Sequence, residues 1–214
     1  LERLLCVDDP SRVVGHTLPI REAIRNNHLG CVQLLVHHTK TVGVYENDIG
    51  FLSTGLHDAV VSNRHLIVNA MLCCNLDTQN SPSDMTALLV ACTMGHVNIA
   101  LALIEGGANV RLPGTNGFTP LIAAIKHGAL PVIKALLERG ADVDDVYYDL
   151  SAVTHAVFTR NVDVVALLLK WGASINHHEQ LDFLDGVDNP AMVSFFAVNR
   201  VRYVHGAHTT ALHI

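Results

Sequence analysis

The feature that most constrains this chain is a pattern of residues that recurs about every 33 positions. Its clearest unit runs from Thr115 to Asp144. Thr119 can cap a first helix with its hydroxyl, and Pro120 follows at the first helical position, where the missing N–H costs nothing and φ is preset. Gly128 makes a turn. Val132, Ile133, Leu136 and Leu137 then recur at helical spacing and form one apolar stripe on a second helix, which Gly140 can close in the left-handed conformation. A helix pair of this size cannot bury that stripe by itself. It therefore needs similar units stacked on both sides.

The rest of the chain supplies those units. Small residues recur in the first helix at Ala23, Ala59, Ala91, Ala124 and Ala156, with Leu184 as an imperfect sixth, and they let neighbouring helices approach closely. Three residues earlier an aliphatic column, Ile20, Leu56, Leu88, Leu121, Val153 and Leu181, fills the space beside them. The second-helix stripe repeats in the same register, from Cys31-Val32-Leu35-Val36 through Val164-Val165-Leu168-Leu169 to Met192-Val193-Phe196-Ala197. Six units are visible.

Thr119-Pro120-Leu121, the turn glycine and Gly140-Ala141-Asp142 resemble an ankyrin repeat, and the likeness extends over roughly 18–197. It implies an all-α ankyrin-repeat solenoid of stacked helix-turn-helix units with β-hairpin-like finger loops. The expected organisation is a remnant of a preceding repeat or an N-terminal cap at 1–16. The array follows at 17–199, strongest over 54–176. At 200–214, where Thr210-Ala211-Leu212-His213 resembles a repeat opening, a further truncated repeat begins. Some positions depart from the family pattern. Arg160 and Asp188 replace the turn glycine, Asn27 and Asn63 are milder replacements, Thr39 replaces the closing glycine, and Asn75 is expected to substitute for it by taking the left-handed conformation.

Composition narrows the function. A formal charge of −6 with no run of Lys or Arg argues against a nucleic-acid partner or an anionic membrane surface. Five cysteines without a CxxC pair suit reduced thiols in a cytoplasmic or nuclear protein. The stretch from Met85 to Ile104 lacks Asp, Glu, Lys and Arg, but Gly95, His96 and Asn98 interrupt it where the repeat turns, so two buried helices are expected and no membrane insertion. Fourteen histidines raise the question of a metal. Pairs such as His37-His38, His177-His178 and His205 with His208 lack the three or four convergent ligands that zinc requires, and structural or solvated roles are favoured. His57 and His213 stand at a position where the family's histidine bonds within its repeat and to its neighbours. No nucleophile-base-acid order and no Gly-rich phosphate loop follows from the register. The expectation is a non-enzyme with no catalytic residue, cofactor or metal.

The resemblance implies a concave binding surface built from the fingers and the exposed positions of the first helices. Carried over residue by residue, these positions include Phe51, Met85, Met94, Phe118, Lys126, His127, Tyr147, Tyr148 and Phe158, a set rich in aromatic and Met side chains of the kind enriched in interface cores. Packing against the next finger is the competing reading for Phe118. Phe118, Tyr147, Tyr148 and Phe158 are expected to meet across one inter-repeat step. Asp144, Asp145 and Asp149 surround the tyrosines, either as a negative rim that steers a basic partner segment or as a solvated finger tip. The function read from the sequence is thus a non-catalytic module binding a protein or peptide segment with basic flanks. The alternative is the regulatory or cytoplasmic ankyrin region of a larger enzyme, ion channel or ubiquitin-ligase subunit, one that positions that machinery or binds a small ligand.

Overall fold

A computed structural model of the protein describes residues 19–39, 44–46, 52–80 and 84–174. The segments expected at 1–16 and 200–214, the sixth unit and Phe51 lie outside them. Ten short helices run in pairs through these residues. They are α1 (Pro19–Arg25) with α2 (Leu29–Thr39), α3 (Gly55–Val61) with α4 (His65–Ala70), α5 (Ala87–Thr93) with α6 (Val97–Glu105), α7 (Pro120–His127) with α8 (Leu130–Glu138), and α9 (Ala152–Phe158) with α10 (Val162–Lys170). First helices touch first helices and second helices touch second helices from each pair to the next, so the units stack in two rows. The stretch from Met85 to Ile104 is two short helices, and no described helix is long and apolar enough to cross a membrane.

The predicted columns make the core. Ala59, Ala91, Ala124 and Ala156 are fully enclosed between first helices, beside Leu56, Leu88, Leu121 and Val153. Three first helices start alike: Thr86 Oγ1 accepts from Leu89 N, Thr119 Oγ1 from Ile122 N and Ser151 Oγ from Thr154 N. Each such cap contributes about 1 kcal/mol. Contacts between units add to the packing. Arg21 pairs with Asp58 at 3.6 Å, and the His57 ring N–H donates to Met85 O at 2.8 Å, the bond to a neighbouring repeat expected of that position.

Every turn between paired helices needs a left-handed residue. Asn27, Asn63, Gly95, Gly128 and Arg160 supply it, with φ of 56°, 53°, 71°, 66° and 55°. At Gly128 a Cβ would also lie 2.9 Å from Asn161 Nδ2, whose side chain caps α10. Arg160 is the poorest match, since a long L side chain pays steric strain at this φ. Arg160→Gly is therefore expected to raise the unfolding free energy by about 0.5–1 kcal/mol, the strain relief being partly offset by unfolded-state entropy. Urea denaturation checks this, and a loss of stability would mean that the arginine side chain makes compensating contacts.

Second helices close on Gly107, Gly140 and Gly172, all at positive φ. The expectation fails at Asn75, which is not left-handed. α4 ends at Ala70, with Met71 as its C-cap bonded back to Ile67 O and Val68 O, so the reversal is already under way before Asn75 is reached. The Asn75 side chain instead accepts from Asp77 N at 3.0 Å.

The fingers differ in length. β1 (Val44–Glu46) pairs antiparallel with β2 (Leu52–Thr54) over three residue pairs, whereas β3 (Val146–Tyr147) and β4 (Leu150–Ser151) pair over two. The next fingers after the first are an isolated Asn80–Met85 bridge and a one-turn 3-10 segment at Thr115–Gly117.

Candidate partner-binding surface

The hairpin β3–β4 reverses through only Tyr148 and Asp149, with φ of 51° and 59°. Two successive left-handed residues make a type I′ turn, which Asn-Gly fills without strain and an aromatic residue does not. The local cost places Tyr148 at the finger tip with 65% of its surface exposed. Beneath it the rings pack at tilted angles. Tyr147 lies 4.4 Å from Tyr148 and 4.7 Å from Phe118, centroid to centroid, and 5.9 Å from the His155 ring. Phe118 and Tyr147 are half-buried and rest on the core, so their packing role and their place beside the surface coexist. The Lys126 ammonium sits 5.5 Å from both the Phe118 and the Tyr147 centroids, within cation–π range.

The fourth aromatic is elsewhere. Phe158 makes no ring pair with this cluster. It ends α9, seven residues beyond the Ser151 cap, whereas the hairpin rises from the other end of that helix. There it is 44% exposed, in the same register position as Val61 on α3 and Lys126 on α7, with exposed Met94 just past the end of α5 between them. Met85 is half-buried against the core, and its backbone oxygen takes the His57 bond. His127 is an inter-repeat strut as well as a surface residue. Its ring N–H donates to Thr93 O, and the ring lies beside Gly95.

The acidic residues divide by role. Asp149 is exposed at the tip. Asp144 is exposed, but one carboxylate oxygen accepts from Ser174 N at 2.7 Å, a bond to the following unit. Asp145 is half-buried and bonded to the Thr119 side chain, and its backbone oxygen accepts from Ala152 N. Burial raises its pKa above the usual carboxylate range against the opposing pull of Thr119. Sequence position alone could not separate these three, because all stand in one acidic run.

Burial also sets the charge of two histidines. Desolvation lowers the pKa of His57 and of His155, although bonds to Met85 O and Tyr147 O favour their charged forms. A depressed folded-state pKa means that the unfolded chain takes up the proton first, so the stability these groups contribute is present above the ordinary value of about 6.5 and lost as pH falls below it. The melting temperature should drop by a few degrees between pH 7 and 5. His155→Gln should reduce that drop, and an unchanged pH profile in this variant would contradict a buried neutral ring. Asp145 acts with the opposite sign at lower pH, because protonation favours its folded form.

Cys92 is buried and its thiol is pushed up to about 12, far from a reactive thiolate. Among the described residues no three His, Cys, Asp or Glu side chains converge as metal ligands.

The family model for ankyrin repeats matches residues 56–147 and 115–179, which together span more than half of the chain. The chain belongs to the ankyrin-repeat family. Ankyrin repeats are generally non-catalytic protein-interaction modules, and their relatives place them in varied settings. The chain is 29% identical over 163 residues to ankyrin repeat and KH domain-containing protein mask-1 of Caenorhabditis elegans, covering 73% of this chain and 6% of that protein. Against the B-cell lymphoma 3 protein homolog of Mus musculus it is 28% identical over 167 residues, 74% of this chain and 37% of that one. The Caenorhabditis elegans homolog of transient receptor potential cation channel subfamily A member 1 is 25% identical over 165 residues, covering 76% and 13%. The ankyrin array described here thus spans only a minor part of each of these relatives.

Proposed function

We propose that this ankyrin array is a non-catalytic recognition module, acting in the cytoplasm or nucleus, that holds a segment of a partner protein. Its binding face is shared by the fingers and the ends of the first helices. Tyr148 carries this reading: it is a strained, 65% exposed aromatic at a finger tip, where its fold contacts are the Tyr147 ring and a long bond from Asn116 Nδ2 at 3.5 Å, and Asn or Gly would make the same turn at lower cost. Tyr147, Phe118 and Lys126 support it from below, and Met94, His127 and Phe158 continue the face along the helix ends, with Met85 at its half-buried floor. Asp149, with the outer oxygen of Asp144, gives the edge a negative field that favours basic flanks on the bound segment. Asp145 contributes through the finger's geometry. The net charge of −6 disfavours nucleic acid.

A second reading, that the array regulates a larger enzyme, channel or ubiquitin-ligase subunit, is favoured by the small fraction of each relative that the chain spans. The two are compatible, because the same face can hold a segment of a neighbouring domain. The test is a peptide selected on the wild-type array and then offered to the Tyr148→Asn, Phe158→Ala variant. Lost binding with an intact fold supports the face, and retained binding places recognition elsewhere.

A further inference from the structure

We propose that a cleft between the third and fourth finger bases binds a phosphate-type oxyanion between Arg111 and Arg139. The cleft has a volume of about 260 Å³, and Gly107, Ala108, Asn109 and Val110 complete its lining. Two arginines line this one cleft in a chain whose formal charge is −6, and neither lies within 4.0 Å of a carboxylate among the described residues. Asp145 attracts Arg111 but is itself held by Thr119, and the Asp77 carboxylate at the cleft is taken up by Asn109 N. Like charges lining one cleft repel, and an anion between them removes that cost.

The donors are also set for it. Arg111 Nε donates to Gly140 O across the repeat step, and Arg111 Nη2 lies 3.5 Å from where Gly140 would carry a Cβ, so the guanidinium is fixed beside the glycine with its remaining N–H groups uncommitted. Most backbone donors of the lining are spent: Gly107 N on Ile104 O, Ala108 N on Leu103 O, Asn109 N on Asp77 Oδ1 and Arg111 N on Asn109 Oδ1. Recognition therefore falls chiefly to the two arginines. A carboxylate has two oxygens and satisfies one planar fork, whereas a phosphate monoester offers three acceptor oxygens and close to two charges, which suits two forks.

The experiment titrates the full chain with inorganic phosphate at constant ionic strength, sodium chloride compensating, and follows backbone amide and arginine Nε signals by NMR. Saturable shifts at 107–111 and 139–140 are expected, weakened at least about tenfold in Arg139→Gln, with an unchanged melting temperature in phosphate-free buffer. Arg111→Gln keeps a donor for Gly140 O, as Gln79 does for Pro113 O at 3.0 Å, and should weaken binding similarly. Parallel arms with a phosphoserine peptide and its unphosphorylated form tell a phosphate carried on a protein from a free one. Shifts reproduced by chloride alone, or undiminished in both variants, would overturn the site.

Discussion

Leu136→Ala is expected to lower the unfolding free energy by about 3 kcal/mol, within the 2–5 kcal/mol range of buried Leu truncations. Leu136 is fully buried on α8, which packs against α7 in its own unit and against α6 and α10 on either side. Its backbone oxygen also accepts from Ala141 N, the bond that closes the helix at Gly140. The site is therefore pinned and cannot readily collapse around the cavity, which argues against the bottom of the range. Stacked repeats are stabilised mainly by their interfaces, so loss at a central unit loosens both neighbours. Urea denaturation followed by circular dichroism measures the effect. A loss below about 0.5 kcal/mol, the size of a surface change, would contradict the assigned register.

That register was legible because it rests on two periodic columns that serve packing alone. Ala59, Ala91, Ala124 and Ala156 could be aligned without knowing any contact, since only a small side chain fits between first helices. Turn positions were legible too, and even Arg160 keeps the left-handed backbone that its neighbours in the series require. Asn75 was misread because helix length is set by tertiary packing: α4 stops early, and the residue's left-handed tolerance goes unused. In the candidate site, the meeting of Phe118, Tyr147 and Tyr148 followed from adjacency in successive fingers. Phe158 did not join them, because a position at the far end of a helix is separated along its axis, a distance that register counting ignores. The type I′ turn at Tyr148-Asp149 had a usable signal in its two-residue spacing. The aromatic at its first position concealed it, since that turn is ordinarily recognised by Asn and Gly.

The second large effect concerns binding. Replacing Tyr148 by Asn and Phe158 by Ala should weaken partner binding by about 2 kcal/mol or more, because exposed aromatic anchors dominate interface energies. The choice of Asn separates binding from folding. Asn tolerates the left-handed backbone of a type I′ turn, so the finger should fold at least as well as with Tyr148 at φ 51°. Phe158 is 44% exposed, so its truncation removes only part of a full side-chain burial, and the accompanying melt reads that cost separately. Asp149→Asn provides the electrostatic counterpart. It keeps the turn and removes the tip charge, and it should chiefly slow association at low salt with little change at high salt.

The most direct measurement is a titration of a selected peptide against the wild-type array and the Tyr148→Asn, Phe158→Ala variant, each paired with a thermal melt. An affinity reduced about 30-fold or more at a melting temperature lowered by no more than a few degrees is the predicted result. Unchanged affinity would contradict the binding face, and an affinity loss matched by a large fall in melting temperature would make these aromatics part of the fold.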